Sequence, residues 1–76
     1  MKQSEAKILL FLETADDRFK YATQISAKLK MDYAYTLRIL KSLRTYKYVK
    51  TINREQKVFY KLTFRAPMKK AREVMK

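Results

Sequence analysis

The sequence contains no cysteine, no histidine and no glycine, and it has a single proline among 76 residues. Without cysteine there is no disulfide and no thiolate-bound metal, which suits a reducing compartment. Without histidine the chain lacks the commonest general base and the commonest metal ligand. Without glycine it cannot form a glycine-rich phosphate loop. These absences argue against an enzyme, against a metal site and against a nucleotide cofactor.

Long apolar runs are also missing. The longest one covers residues 8–12, far short of the roughly 20 residues that a membrane span needs, and the acidic Glu5 does not fit a signal peptide. A chain this short buries only about 60% of its unfolded surface, so a dense core, a partner subunit or both must stabilise it. We therefore expect one small cytoplasmic domain without a membrane anchor.

Positive charge is unevenly distributed along the chain, which carries 19 Lys and Arg against 7 Asp and Glu, a net charge of +12. Residues 1–17 carry two bases and four acids (net −2), residues 18–50 nine bases and one acid (net +8), and residues 51–76 eight bases and two acids (net +6). Such segregation is expected of a nucleic-acid-binding protein. A lysine-rich surface that serves solubility alone is the alternative, but such a surface usually mixes both signs.

The spacing of apolar residues predicts four helices and a β-hairpin. Ser4 and Asp32 are candidate N-caps, because their oxygens can accept free N–H groups of a first helical turn. Pro67 suits the first turn of the last helix. In chain order we predict helix 1 at about 4–15, a short strand at 19–21, helix 2 at about 22–29, helix 3 at about 33–46, strands at 49–52 and 57–63 around a polar turn at 53–56, and a C-terminal helix at about 67–75.

This order resembles the winged helix-turn-helix domain of MarR-like and ArsR-like transcriptional regulators. Residues 24–29 are similar to helix 2 of that family, residues 40–49 to the end of its helix 3, and residues 58–63 to the returning strand of its wing. The resemblance implies an α+β fold, mostly α, with a three-helix core, a β-hairpin wing at about 49–63 and a C-terminal helix. It implies one domain over residues 1–76.

Three positions depart from the family's pattern. Lys30 and Lys47 stand where the family prefers glycine, in the turn between helices 2 and 3 and directly after helix 3. Both turns usually need a left-handed backbone, so these lysines predict local strain or an altered turn. Leu37 stands where a small polar residue is common near DNA.

The resemblance makes helix 3 the recognition helix, and its composition supports that role. If Leu37, Leu40 and Leu43 face the core, the outer face has bases and hydroxyls but no acid. Arg38 could then contact guanine in bidentate fashion in the major groove. The predicted base contacts are Ala34, Tyr35, Arg38 and Ser42. The predicted contacts to the DNA backbone are Thr23, Gln24, Lys28, Tyr33, Lys41, Arg44, Thr45 and Lys47.

The hairpin carries further positive charge. Lys50, Arg54 and Lys57 are the predicted wing contacts, with Arg54 at the tip for the minor groove or a flanking phosphate. An edge hairpin that is kept soluble by its charge is the alternative.

The six tyrosines look at first like a stacking platform for single-stranded nucleic acid. However, Tyr46, Tyr48 and Tyr60 lie where the hairpin meets the core, so we predict that they pack there. Tyr35 is the tyrosine that we predict to be exposed.

Helix 1 is apolar on more than one face, because Leu10 and Phe11 fall outside its main stripe. In so small a domain the second face predicts contact with another subunit, although Phe11 could instead cover the end of the core. The predicted dimer interface consists of Leu10, Phe11, Met68, Ala71, Val74 and Met75.

These features together predict a sequence-specific regulator of transcription that binds double-stranded DNA as a homodimer, in the cytoplasm and associated with the nucleoid. No cofactor, metal or catalytic residue is expected, and the small size leaves little room for a small-molecule effector. One alternative is an architectural or chromatin protein that coats DNA with little sequence preference. Another is a winged-helix module that binds an acidic protein partner.

Overall fold

The computed structural model describes residues 1–76 and consists of four helices and one antiparallel hairpin. None of the helices is both long enough and apolar enough to cross a membrane. The predicted α+β fold, with a three-helix core, a hairpin and a C-terminal helix, is confirmed. The helices are α1 (Gln3–Thr14), α2 (Ala22–Leu29), α3 (Tyr33–Thr45) and α4 (Met68–Val74), and the strands are β1 (Val49–Arg54) and β2 (Lys57–Leu62).

The core is built around α1, because α2, α3, α4 and β2 all pack against this helix. Helix α1 is apolar on several faces, and the structure uses those faces to contact different elements of the same chain. The buried apolar residues are Ala6, Ile8, Leu9, Leu12, Ile25, Ile39, Leu40, Leu43, Val49 and Ala71.

The inward face of α3 differs from the predicted one. Thr36 is fully buried beside Leu40 and Leu43, whereas Leu37 is 36% exposed on the outer side. Thr36 can be buried because its hydroxyl donates a hydrogen bond to the Asp32 carbonyl oxygen at 2.7 Å, which satisfies its polar atom. The prediction that Leu37 faces the core is therefore wrong, and the outer face of α3 gains an apolar side chain.

The two predicted helix caps have different outcomes. Asp32 caps α3, since its Oδ2 accepts the backbone N–H of Tyr35 at 2.9 Å. Ser4 does not cap α1, because the helix begins one residue earlier and Lys2 occupies the N-cap. Glu5 instead accepts the backbone N–H of Lys2 at 2.8 Å, as expected of an acid in the first turn.

The segment between α1 and α2 forms less strand than predicted. Asp17–Phe19 is one turn of 3₁₀ helix, and only Tyr21 pairs with Phe59 of β2. The backbone N–H of Tyr60 also donates to the carbonyl oxygen of Lys20 at 2.8 Å. These contacts fix the hairpin to the helical core through β2.

The hairpin turn is shorter than predicted. Strands β1 and β2 pair from Val49 opposite Leu62 to Arg54 opposite Lys57, so the turn contains two residues rather than the four at 53–56. Both of them, Glu55 and Gln56, have positive φ, at 51° and 64°. This is the conformation of a type I′ turn, which favours asparagine and glycine.

The two turns where the family resemblance implies a left-handed backbone do adopt it, so the predicted strain is present rather than an altered turn. Lys30 follows α2 with a φ of 55°, and Lys47 follows α3 with a φ of 66°. Together with Glu55 and Gln56, four residues with a Cβ atom occupy the left-handed region in a chain without glycine. Each such residue costs about 1–2 kcal/mol relative to a right-handed conformation.

Gln56→Gly is therefore expected to stabilise the protein by about 1 kcal/mol, because glycine adopts positive φ without a steric penalty. Urea unfolding followed by circular dichroism would measure the change. The matched control is Lys41→Gly, in the middle of α3, which should destabilise by about 1 kcal/mol because glycine is a poor helix former. A loss of stability in Gln56→Gly would contradict the left-handed turn.

Candidate nucleic-acid interface

The outer face of α3 lies opposite its buried stripe. With 3.6 residues per turn, Ala34, Arg38, Lys41 and Thr45 form the line farthest from Thr36, Leu40 and Leu43, and all four are exposed. No residue of α3 is acidic. We call this line the outer line of α3.

An open groove lies between α3 and the hairpin, and we call it the α3–hairpin groove. It consists of two adjoining depressions that share Leu37 and Tyr60. One also contains Ala34, Arg38, Lys41 and Arg44. The other also contains Tyr21, Ala22, Thr23, Tyr33 and Val58.

The groove combines apolar surface with positive charge. Tyr33 is 50% exposed and Val58 is 43% exposed. Tyr60 is half-buried, and burial raises the pKa of its hydroxyl, an effect that the charge of Arg44 partly opposes. The phenol therefore stays protonated at neutral pH and can donate a hydrogen bond to an anion.

The hairpin places like charges opposite each other. In the strand pairing Lys50 faces Lys61, and Arg54 faces Lys57. Opposite residues of an antiparallel pair point to the same face, and like charges there destabilise the pair. Since residues two apart also share a face, all four cations lie on one side of the hairpin, which we call the cationic face. This arrangement suits an anionic partner better than it suits the stability of the hairpin.

One carboxylate accompanies the cationic face. Asp17 Oδ1 lies 2.9 Å from Lys20 Nζ. The hydrogen bond from Lys20 and its charge, together with the charges of Lys61 and Arg54, lower the pKa of Asp17. Asp17 is therefore ionised at neutral pH and offsets part of the local positive charge.

Two of the predicted DNA contacts lie against aromatic rings. Lys57 Nζ is 4.6 Å from the centroid of Tyr21, and Lys28 Nζ is 4.6 Å from the centroid of Phe19. Cations at this distance are attracted by the ring face. Both ammonium groups are thus held near the 3₁₀ turn.

The structure separates the four residues that were predicted to contact bases. Ala34 and Arg38 lie on the outer line of α3. Tyr35 is exposed, as predicted, but its hydroxyl lies 3.0 Å from Ser4 Oγ, so its ring points toward α1. Ser42 is half-buried. Lys41, predicted as a backbone contact, shares the outer line with Arg38.

The residues predicted to contact the DNA backbone fall into two groups. Four line the α3–hairpin groove: Thr23, Tyr33, Lys41 and Arg44. The other four lie outside it: Gln24, half-buried in α2, and the exposed Lys28, Thr45 and Lys47. The wing residues Lys50, Arg54 and Lys57 belong to the cationic face.

One residue of the predicted dimer interface, Ala71, is buried inside the domain. Ala71 is fully buried in α4, the helix that packs along α1, and a side chain this small allows two helices to approach closely. Ala71 is therefore unavailable to a partner subunit, and that prediction is wrong. The remaining residues are the half-buried Leu10, Phe11, Met68 and Val74, and Met75, which is exposed.

The tyrosines near the hairpin also differ from the prediction. Tyr48 and Tyr60 pack against the core as predicted, but Tyr46 is 57% exposed. Tyr46 is the C-cap of α3, where the chain leaves the helix, and its ring lies 5.5 Å from that of Tyr48. The prediction that Tyr46 packs in the core is wrong.

Comparison with solved structures identifies the fold. Wild-type ZitR of Lactococcus lactis, solved in complex with DNA, matches with a TM-score of 0.79 and 26% identity over 99% of this chain and 51% of its own. The chain is a winged helix-turn-helix. AF1382 of Archaeoglobus fulgidus matches this winged helix with a TM-score of 0.76 and 20% identity over 99% of this chain and 84% of its own.

The winged helix described here spans about half the length of ZitR. No protein-family model matches the chain, and no curated protein matches it.

Proposed function

We propose that this winged helix binds double-stranded DNA as a regulator of transcription, with α3 in the major groove and the hairpin on the flanking backbone or minor groove. The observation that carries the proposal is the outer line of α3, which is exposed, basic and next to further cations of the groove. The match to ZitR, which was solved in complex with DNA, supports DNA binding.

Arg38 and Lys41 have different roles in this proposal. The planar guanidinium of Arg38 can bond both O6 and N7 of guanine, which specifies a base. The ammonium of Lys41 has no such geometry and pairs with a phosphate, which positions the protein without reading the sequence. Arg44 and the protonated hydroxyl of Tyr60 contact phosphates on the side of the hairpin.

The cationic face of the hairpin contributes affinity rather than specificity. Phosphates placed between Lys50, Lys61, Arg54 and Lys57 relieve the repulsion within the two like-charged pairs. Each neutralised phosphate also releases condensed counterions, so binding should weaken as salt increases.

Two copies would bind one site as a homodimer. The partly exposed apolar residues of α1 and α4, namely Leu10, Phe11, Met68, Val74 and Met75, supply the contact. Two recognition helices would then enter successive major grooves about 34–36 Å apart, which requires a pseudo-palindromic site. Selection of bound sequences from a random duplex pool tests this point. We expect a palindrome, and recovery of unrelated sequences would support an architectural protein instead.

The dependence of affinity on salt tests the DNA interface as a whole. If each copy contacts about four phosphates, the slope of log K against log salt should be near −7 for a dimer. Lys57→Gln removes one phosphate contact per copy, so the slope should become less negative by about 2. Lys69→Gln, which removes an exposed lysine of α4, is the control and should not change the slope. A slope near −2 for the unaltered protein would reject a dimer that surrounds DNA.

A further inference from the structure

Leu37 is an apolar side chain exposed on the basic face of α3. It lies in the α3–hairpin groove beside Arg38, with Ala34 one turn earlier and Lys41 one turn later. A single exposed leucine is ordinary in a soluble protein. Here, however, it adjoins Tyr33 and Val58, which are also exposed, so the groove presents apolar surface of several residues.

Packing within the protein covers Leu37 only in part. The inward side of α3 is complete without Leu37, because Thr36, Ile39, Leu40 and Leu43 are buried there. The hairpin cannot easily move onto α3 to cover it. Val49 at the start of β1 is buried in the core, and β2 is hydrogen-bonded to the segment before α2. Leu37 is thus available to a partner outside the protein.

The charges around Leu37 define that partner. Arg38, Lys41 and Arg44 line the same depression, and none of its residues is acidic. An occupant must therefore offer an apolar group within a strongly anionic surface. The major groove of DNA does so at thymine, whose 5-methyl group is the apolar feature of the base edges, with phosphates on both sides.

We propose that Leu37 contacts the 5-methyl group of thymine in the major groove and makes this methyl group a determinant of sequence preference. The proposal rests on the DNA-binding function proposed above. Because Leu37 and Arg38 are neighbours on α3, the preferred site should contain a thymine within about one or two base pairs of the guanine that Arg38 reads.

Replacing thymine by deoxyuridine tests the proposal directly, because this change removes only the 5-methyl group. The probes are a short duplex in which thymine and guanine alternate along one strand, so that each thymine adjoins a guanine, and the same duplex with uracil in place of every thymine, measured by fluorescence anisotropy at one salt concentration. We expect the unaltered protein to bind the uracil duplex about fourfold more weakly for each methyl group contacted, the effect of losing one buried carbon.

Two variants assign the effect to a residue. Leu37→Ala should bind both duplexes equally, since it lacks the side chain that meets the methyl group. Val58→Ala is the matched control, because it removes apolar surface from the same groove on the hairpin side; it should keep the fourfold difference. For each protein the measured quantity is the ratio of the dissociation constants for the uracil and the thymine duplex. Comparing this ratio between the unaltered protein and the variants cancels any effect of the methyl group on the duplex itself.

The possible outcomes separate this inference from the function on which it rests. If the unaltered protein binds both duplexes equally, if Leu37→Ala keeps the fourfold difference, or if Val58→Ala also loses it, the assignment to Leu37 is overturned while DNA binding stands. If the folded protein, checked by circular dichroism, binds neither duplex, the proposed function itself fails.

Discussion

Leu40→Ala is expected to lower the free energy of unfolding by about 2–5 kcal/mol, the usual effect of truncating a buried leucine. Leu40 is completely buried on the inward side of α3, so its truncation leaves a cavity that the surrounding helices fill only in part. Total stabilities of proteins are about 5–15 kcal/mol, and a domain this small is at the low end. The variant should therefore be partly unfolded at moderate temperature, as urea or thermal unfolding would show.

The same substitution at Leu37 is the matched control. Leu37 has the same side chain on the same helix, three residues earlier, but it is exposed. Leu37→Ala should lower the stability by only about 1 kcal/mol, because the side chain is partly exposed and its truncation leaves no closed cavity. If the two variants lose the same free energy of unfolding, Leu37 must be buried together with Leu40 and Leu43, as the spacing predicts. The orientation of α3 described above would then be wrong.

Arg38→Ala is expected to remove discrimination between DNA sequences. The loss of a bidentate guanine contact should reduce the difference in binding free energy between the selected site and a scrambled duplex by about 1–3 kcal/mol for each half-site. This corresponds to a reduction of about 5- to 150-fold in the ratio of the two dissociation constants. Binding to the scrambled duplex should change much less. Dissociation constants for both duplexes at one salt concentration give the result.

Lys41→Ala is the control for Arg38→Ala, because it removes a positive charge from the same outer line of α3. It should weaken binding to the selected and the scrambled duplex by the same factor and make the salt slope less negative by about 1 per copy. If Arg38→Ala also weakens both duplexes equally, Arg38 contacts a phosphate rather than a base. The architectural function would then be favoured over specific regulation.

Several features could be predicted from the sequence because they depend on neighbouring residues. Asp32 caps α3 because a carboxylate at that position reaches the N–H groups of the first turn. The left-handed backbone at Lys30 and Lys47 is what the resemblance to winged helix-turn-helix regulators implied at those two turns. The order of four helices and a hairpin could be predicted because the spacing of apolar residues within a short window already distinguishes a helix from a strand.

Other features depend on contacts between distant parts of the chain. Tyr35 turns toward α1 because Ser4, 31 residues earlier, lies beside its hydroxyl. Ala71 is buried because α4 packs along α1, and no local pattern shows which face of α4 does so. Tyr46 is exposed because α3 ends there, beyond the part of the helix that the core covers.

Helix α3 shows most clearly what the sequence determined and what the tertiary structure determined. The sequence alone predicted a basic helix without acids over about residues 33–46, because composition and spacing decide both properties; the helix observed ends at Thr45. The sequence could not determine whether Leu37 or Thr36 is buried together with Leu40 and Leu43, since either set of three residues has helical spacing. Only the tertiary structure decided this, because packing against α1, α2 and β1 fixes the rotation of the helix, and the local bond from Thr36 to the Asp32 carbonyl oxygen makes the buried hydroxyl tolerable. That rotation leaves Leu37 beside Arg38 on the outer side, where we propose that the two side chains read DNA.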